Sequence, residues 1–92
     1  MIGEGDAVLN VYPNPASDIL TIELQHFLQG SYRITLYDIL GKNIMAVNSD
    51  VENGKNPKCS LTLSGVEVGI YLLIIDSDQI DVVRKFRITK YE

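Results

Sequence analysis

Short apolar segments recur along this chain, and polar residues, glycine or proline separate them every 8 to 12 positions. Within several segments apolar and polar side chains alternate; Leu20, Ile22 and Leu24, for example, share one parity. A period of two is typical of a half-buried strand, and no window carries the apolar stripe of a helix of about ten residues. The pattern predicts an all-β protein. The predicted strands are 8–11, 19–24, 32–37, 43–48, 59–63, 69–76 and 82–89.

Seven short strands in about 85 residues indicate an immunoglobulin-like β-sandwich of the antiparallel Greek-key type. A chain of 92 residues is expected to form one domain. At this length folding buries roughly two-thirds of the unfolded surface, which is enough for one modest core. We expect residues 1–7 to be a linker remnant or an added start. Residues 8–92 would then be a domain cut from a larger protein.

The sixth predicted strand is apolar on both faces, because residues 70–75 read Ile-Tyr-Leu-Leu-Ile-Ile. Such a run is typical of a central strand, or of a strand whose outer face is also covered. The third predicted strand has only one apolar face, formed by Tyr32, Ile34 and Leu36. We expect that face to lie in the core, together with Tyr71 from the sixth strand.

Two prolines interrupt the chain directly after the first predicted strand, in the sequence Tyr12-Pro13-Asn14-Pro15. Proline lacks an amide donor and fixes φ, so Pro13 and Pro15 end the strand. The following proline restricts Asn14 to an extended shape, and its side chain is expected to bond nearby backbone. The segment predicts a strand that stops, turns sharply and crosses to the opposite sheet.

The net charge of −4 is unevenly distributed along the chain. Residues 1–83 contain 11 acidic and four basic residues, whereas residues 84–92 contain one acidic and four basic residues. The acidic body argues against nucleic-acid binding. The basic tail is too small to anchor a protein in a membrane by itself. The single cysteine, Cys59, excludes an internal disulfide.

Residues with catalytic or metal-binding chemistry are sparse. His26 is the only histidine, and we expect it in the loop after the second strand. Cys59 would act as a nucleophile only beside a base, so a core or edge thiol is the simpler interpretation. The oxygen-rich triplets 48–50 and 76–78 lack the ligand spacing of a calcium loop, which favours turn chemistry. We therefore expect no catalytic residue, no metal, no cofactor and no small-molecule substrate.

An appended structural module or a carbohydrate-binding module of a secreted enzyme is the alternative function. A sugar-binding sandwich typically presents aromatic platforms at its surface. This chain has no tryptophan and five tyrosines, of which Tyr37 and Tyr91 are candidates for exposure. Two scattered tyrosines make a weak platform.

The last predicted strand is basic on one face, with Lys85 and Arg87 alternating with Phe86 and Ile88. Charged residues, and lysine above all, protect a sheet edge against pairing with another chain. The sharper interpretation is a recognition strip that a partner reads by strand addition or by charge. The sequence leaves both interpretations open.

Four segments resemble, in order and spacing, the C-terminal sorting domains of the type IX secretion system of Bacteroidetes. The first is Tyr12-Pro13-Asn14-Pro15-Ala16, followed by Ile-Leu-Thr-Ile at 19–22. The others are LYDILGK at 36–42, VGIYL at 68–72 and KFRITK at 85–90. The resemblance covers about residues 8–91, nearly the whole chain.

This resemblance implies a non-catalytic address at the end of a larger secreted cargo protein. The outer-membrane translocation machinery would read the address after the cargo reaches the periplasm, and the cargo would end secreted or at the cell surface. A sortase-like transpeptidase commonly removes such a domain, here in the linker near or upstream of residues 2–7.

The same resemblance, together with the exposed basic strand, assigns expected roles to single residues. Lys85, Arg87 and Lys90 would contact the partner, while Phe86 and Ile88 anchor the strand. The residues expected to hold the shape are Tyr12, Pro13, Asn14, Pro15, Asp38, Gly41, Gly69, Tyr71 and Phe86.

Overall fold

The computed structural model describes residues 8–16, 18–52, 54–77 and 83–91. This part of the chain contains seven strands and no helix, as the alternation of apolar residues predicted. The strands are β1 (Val8–Tyr12), β2 (Ile19–Gln25), β3 (Gly30–Asp38), β4 (Asn43–Val51), β5 (Lys58–Thr62), β6 (Gly69–Asp76) and β7 (Val83–Lys90). Within these ranges no helix is long and apolar enough to cross a bilayer.

The strand ends differ from the predicted ends by up to three residues. The β3–β4 hairpin is longer than predicted, because its ladder continues to the pair Gly30 and Val51. Leu63, predicted as the last residue of the fifth strand, lies just beyond β5. Its amide donates to the Asp18 carbonyl at 2.7 Å, and its side chain is buried as expected. Val82, the predicted first residue of the last strand, lies outside the described residues.

The strands form two antiparallel sheets. One sheet has three strands in the order β1-β2-β5, and the other has four in the order β4-β3-β6-β7. Between the named strands the chain changes sheet after β2, after β4 and after β5. This arrangement is consistent with an immunoglobulin-like sandwich, which confirms the predicted fold class.

The core lies between the sheets and takes alternate residues from each strand. The predicted inward residues of β2 and β3 are all buried, and β6 is the central strand that its apolar run predicted. Burying each large aliphatic side chain contributes about 1.5–3 kcal/mol. The fully buried residues are Leu20, Ile22, Leu24, Tyr32, Ile34, Leu36, Leu61, Leu63, Leu73, Ile75 and Ile88.

The proline segment is a corner that joins the two sheets. Both prolines follow cis peptide bonds, and β1 ends at Tyr12 as predicted. Beyond them Ala16 is fully buried and forms a parallel bridge with Lys90 of the four-stranded sheet. The Ala16 amide donates to the Thr89 carbonyl, and the Tyr91 amide donates to the Ala16 carbonyl, both at 2.8 Å. The chain therefore reaches the opposite sheet before it returns to the first sheet in β2.

Candidate functional site

The basic strand β7 lies at one edge of the four-stranded sheet and pairs with β6 alone among the named strands. Its side chains alternate as the sequence predicted. Lys85 and Arg87 are exposed, Ile88 is fully buried, and Phe86 is half-buried against the core. The two exposed cations therefore project from the outer face of this sheet, on the side away from the core.

Lys90 does not lie with Lys85 and Arg87. It shares its parity with Ile88, so it turns inward, and it is only 8 % exposed. Its Nζ donates to the Tyr91 carbonyl at 3.0 Å. Arg84 also has a place apart from the exposed pair, with its guanidinium carbon 5.9 Å from the centre of the Phe27 ring. The structure brings together two of the three predicted contact residues and separates the third.

The Asn14 side chain links the corner to the backbone of β7 along the edge of the sheet. Its Nδ2 donates to the Arg87 carbonyl at 3.0 Å, and its Oδ1 accepts the Thr89 amide at 3.1 Å. The expectation that Asn14 bonds backbone close to it in the sequence is therefore wrong, because these two partners are 73 and 75 residues away. The side chain replaces the ladder bonds that a neighbouring strand would supply at a sheet edge.

Asp38 organises the loop that joins β3 and β4. Its Oδ1 accepts the amides of Leu40 and Lys42 at 2.9 and 2.8 Å. Gly41 has a φ of 88°, a backbone conformation that residues other than glycine rarely adopt. A register shift between Leu36 and Tyr37 marks an irregularity of the β-bulge kind beside this turn. The loop geometry supports the shape-holding roles predicted for Asp38 and Gly41.

Tyr71 is buried and lies opposite Asp38 in the pairing of β3 with β6. Its hydroxyl donates to the Glu67 carbonyl at 2.6 Å. Burial, and then the nearby carboxylates of Glu67 and Asp38, raise the pKa of this tyrosine above its ordinary value. A methyl group at Gly69 would meet Tyr71 Cε1 at 3.8 Å, an ordinary contact, so packing space alone does not require glycine there. Tyr12, by contrast, is exposed.

An apolar groove of about 500 Å³ runs along the outer face of β6. The side chains that form it come from β3, β6, β7 and the β3–β4 loop. They include Tyr37, Ile39, Ile70, Leu72, Ile74 and Arg87. We call the part of this surface formed by these six residues and Lys85 the apolar outer face. The other end of the same sheet is polar, and there Ser31 Oγ donates to Asp50 Oδ1 at 2.9 Å. The sequence signal for the apolar outer face was the double-sided apolar run of β6, but the neighbours across β3 and β7 depend on strand register.

A family model described as a secretion system C-terminal sorting domain matches residues 10–89. The chain belongs to this family of type IX secretion sorting domains. No match is found among curated proteins.

The sorting domain is accordingly a C-terminal secretion signal for the type IX pathway. Such a signal implies a cargo on the same chain, the secretion machinery as partner, and export of the cargo to the medium or the cell surface. The family match spans the corner, the β3–β4 loop and β7 as far as residue 89, so Lys85 and Arg87 lie within it and Lys90 lies just outside it.

The residues with catalytic chemistry in the sorting domain are scattered. His26 lies in the bend after β2, as expected, and its amide donates to Asn56 Oδ1 at 3.1 Å. Cys59 lies on the edge strand β5, where burial raises the pKa of its thiol and disfavours the nucleophilic thiolate. Within the described ranges, no three His, Cys, Asp or Glu side chains are grouped to hold a metal. Asp78 of the triplet 76–78 lies outside those ranges.

Proposed function

We propose that this sorting domain is the address of a larger cargo that crosses the periplasm before export, and that it acts as ligand and substrate without catalysis. The outer-membrane machinery reads the folded domain. A sortase-like transpeptidase then cuts the linker before β1, near or upstream of residues 2–7. The family match supports the sorting role, and the exposed pair on β7 supports a charged contact with the machinery.

The observation that carries this proposal is the position of Lys85 and Arg87. Both are exposed on an edge strand, and both lie inside a domain whose family serves as a secretion signal. A folded address must be recognised on many unrelated cargoes, so the signal has to lie on the surface of the domain itself. The corner, the Asp38 loop and the buried anchor Ile88 hold that surface in place.

Lys90 has a different role in this proposal. Its ammonium group is 8 % exposed and bonds the carbonyl of Tyr91, beside the bridge to Ala16. A partner on the outer face would therefore meet Lys85 and Arg87 directly. Lys90 would not touch the partner; it would support recognition by holding the C-terminal end of β7 in position.

The test is export of an inert periplasmic reporter that carries residues 1–92 at its C-terminus, in a host with a type IX system. The fraction of reporter found outside the cells is measured by immunoblot. We expect export with the full domain and retention in the periplasm after deletion of residues 84–92. Export of the truncated fusion would contradict the proposed role of β7, and retention of the full fusion would contradict the sorting role.

An unrelated immunoglobulin-like sandwich fused to the same reporter is the matched control. Export with that control would favour a purely structural module. Retention of the domain by an insoluble polysaccharide would favour carbohydrate binding. Mass spectrometry of the exported reporter locates the cut, and a cut inside residues 8–92 would contradict removal at the linker.

A further inference from the structure

The apolar outer face combines aliphatic and cationic side chains in adjacent rows. Strand register places Leu72 between Tyr37 of β3 and Arg87 of β7. In the next row Ile74 lies beside Lys85. Side chains on directly opposed positions of one face lie close enough to interact. The outer face thus has an aliphatic row along β6 and a cationic row along β7, side by side.

The aliphatic row is more exposed than a core strand normally allows. Ile70 is 45 % exposed, and Ile39 at the loop end of the groove is 78 % exposed. Large contiguous apolar patches on soluble proteins often mark the places where partners bind. The groove is shallow and includes Arg87 in its lining, so an occupant of the groove would lie beside that cation.

Lys85 and Arg87, which form the cationic row, make no ion pair with an acid among the described residues. No side-chain hydrogen bond joins either cation to another described residue. Asp38 of β3 also lines the groove, on the other side of β6 from Arg87, and it keeps its negative charge while its Oδ1 accepts two amides of the loop. The side of the groove toward β7 is therefore positive, and a complementary occupant carries negative charge next to an aliphatic group.

We propose that the apolar outer face docks an extended, acidic segment of a partner protein. An aliphatic side chain of the segment enters the groove over Leu72 and Ile70, and a neighbouring carboxylate bonds Arg87. The inference deepens the proposed function, because that partner is then a component of the export machinery. Arginine suits this contact since its guanidinium can bond a carboxylate through two donors.

A direct test uses the uniformly ¹⁵N-labelled 92-residue chain and three blocked ten-residue peptides. One peptide alternates glutamate with leucine or valine, the second replaces its glutamates by lysine, and the third replaces its aliphatic residues by serine. We expect amide shifts near Tyr37, Leu72 and Arg87 with the first peptide only. Binding of that peptide should weaken as salt rises, because exposed charges are screened.

Two pairs of matched variants localise the contact. Ile70→Thr and Arg87→Glu alter the apolar outer face. Ile19→Thr and Lys55→Glu make the same kinds of change elsewhere, and Ile19 is 52 % exposed on the other sheet. We expect about tenfold weaker binding from each variant of the first pair, as for loss of one charged or well-packed contact. The second pair should bind as the original chain does.

Three outcomes overturn the docking proposal: no binding of the acidic peptide, equal binding of the lysine peptide, or shifts on the three-stranded sheet. A concentration-dependent dimer in sedimentation that Ile70→Thr abolishes would also overturn it, since a second copy would then cover the face.

Export of the reporter separates this proposal from the sorting function. If the full fusion is exported and both Ile70→Thr and Arg87→Glu are exported equally well, the docking surface is wrong and the sorting function stands. If the full fusion stays inside, the sorting function itself fails. Loss of export in the first pair alone, with normal export of Ile19→Thr and Lys55→Glu, supports both.

Discussion

One row of side chains on the three-stranded sheet and the apolar outer face differ in how far their charges are paired internally. On the three-stranded sheet, register places Asn10, Glu23 and Lys58 in one row. The Asn10 Nδ2 donates to Glu23 Oε1 at 3.3 Å, and Lys58 Nζ lies 4.0 Å from Glu23 Oε2. We call these three residues the polar row. Its charges meet partners within the domain, whereas Lys85 and Arg87 on the apolar outer face meet none among the described residues.

This difference indicates which side of the domain interacts with other proteins. A polar, internally paired surface gains little from a partner, because contact would only exchange existing bonds and bound water. An apolar groove beside unpaired cations gains from losing water and from new charge pairs. The same fold therefore presents one polar row suited to water and one apolar surface suited to a partner.

The largest predicted effect concerns two asparagines. Asn14→Ala removes two bonds between the corner and β7, and we expect a loss of about 2 kcal/mol in the free energy of unfolding. Asn10→Ala removes one long bond of the polar row, and we expect about 0.5 kcal/mol. Urea unfolding followed by circular dichroism measures both. Equal losses would show that the polar row holds the fold together as strongly as the corner does.

The next prediction compares charge in the polar row and on the apolar outer face. Lys85→Glu should lower reporter export about tenfold, which corresponds to about 1.4 kcal/mol of lost contact energy. Lys58→Ala, which breaks only a weak surface pair in the polar row, should export normally. Urea midpoints of both variants should stay close to that of the original chain. Reduced export in both variants would contradict the distinction between the two regions.

A smaller effect is expected at the loop that closes one end of the groove. Asp38→Ala removes the acceptor of two exposed loop amides and should cost about 1 kcal/mol. Asp38→Asn keeps an acceptor at the same place and should cost less. Urea unfolding compares the two variants. If they are equally unstable, the charge of Asp38, and not its hydrogen bonds, organises the loop.

The smallest predicted effect is on stability at alkaline pH. The pKa of Tyr71 is raised in the folded domain, so its neutral form is favoured by folding. The resulting stability is complete below the ordinary tyrosine pKa of about 10 and is lost as pH rises through the higher folded value. Thermal unfolding from pH 8 to 11 should show this decline, and Tyr71→Phe should reduce it. An unchanged slope in that variant would contradict the assignment to Tyr71.

Most of the fold could be predicted because side-chain parity is visible in the sequence. The alternation placed the inward residues of β2 and β3 correctly, and the double-sided apolar run predicted β6 as a central strand. The same alternation indicates that the Lys90 side chain turns toward the core, because Lys90 is two residues from Ile88 and four from Phe86. Grouping Lys90 with Lys85 and Arg87 by charge alone overlooked that signal.

The contacts between distant segments could not be predicted. The two bonds of Asn14 to β7 join residues more than seventy positions apart, and nothing local distinguishes them from an ordinary turn. The groove also depends on contacts between segments that are distant in the sequence. The apolar run of β6 indicated that its outer face is unusual, but only strand register places Tyr37 and Arg87 on either side of Leu72.

The bridge between Ala16 and Lys90 gives the domain a dependence on complete synthesis. The corner is translated before β7, yet its hydrogen bonds to Thr89 and Tyr91 cannot form until those residues have been translated. The corner can therefore join the four-stranded sheet only after β7 has been made. A chain that ends before Thr89 lacks these bonds and lacks part of its secretion signal.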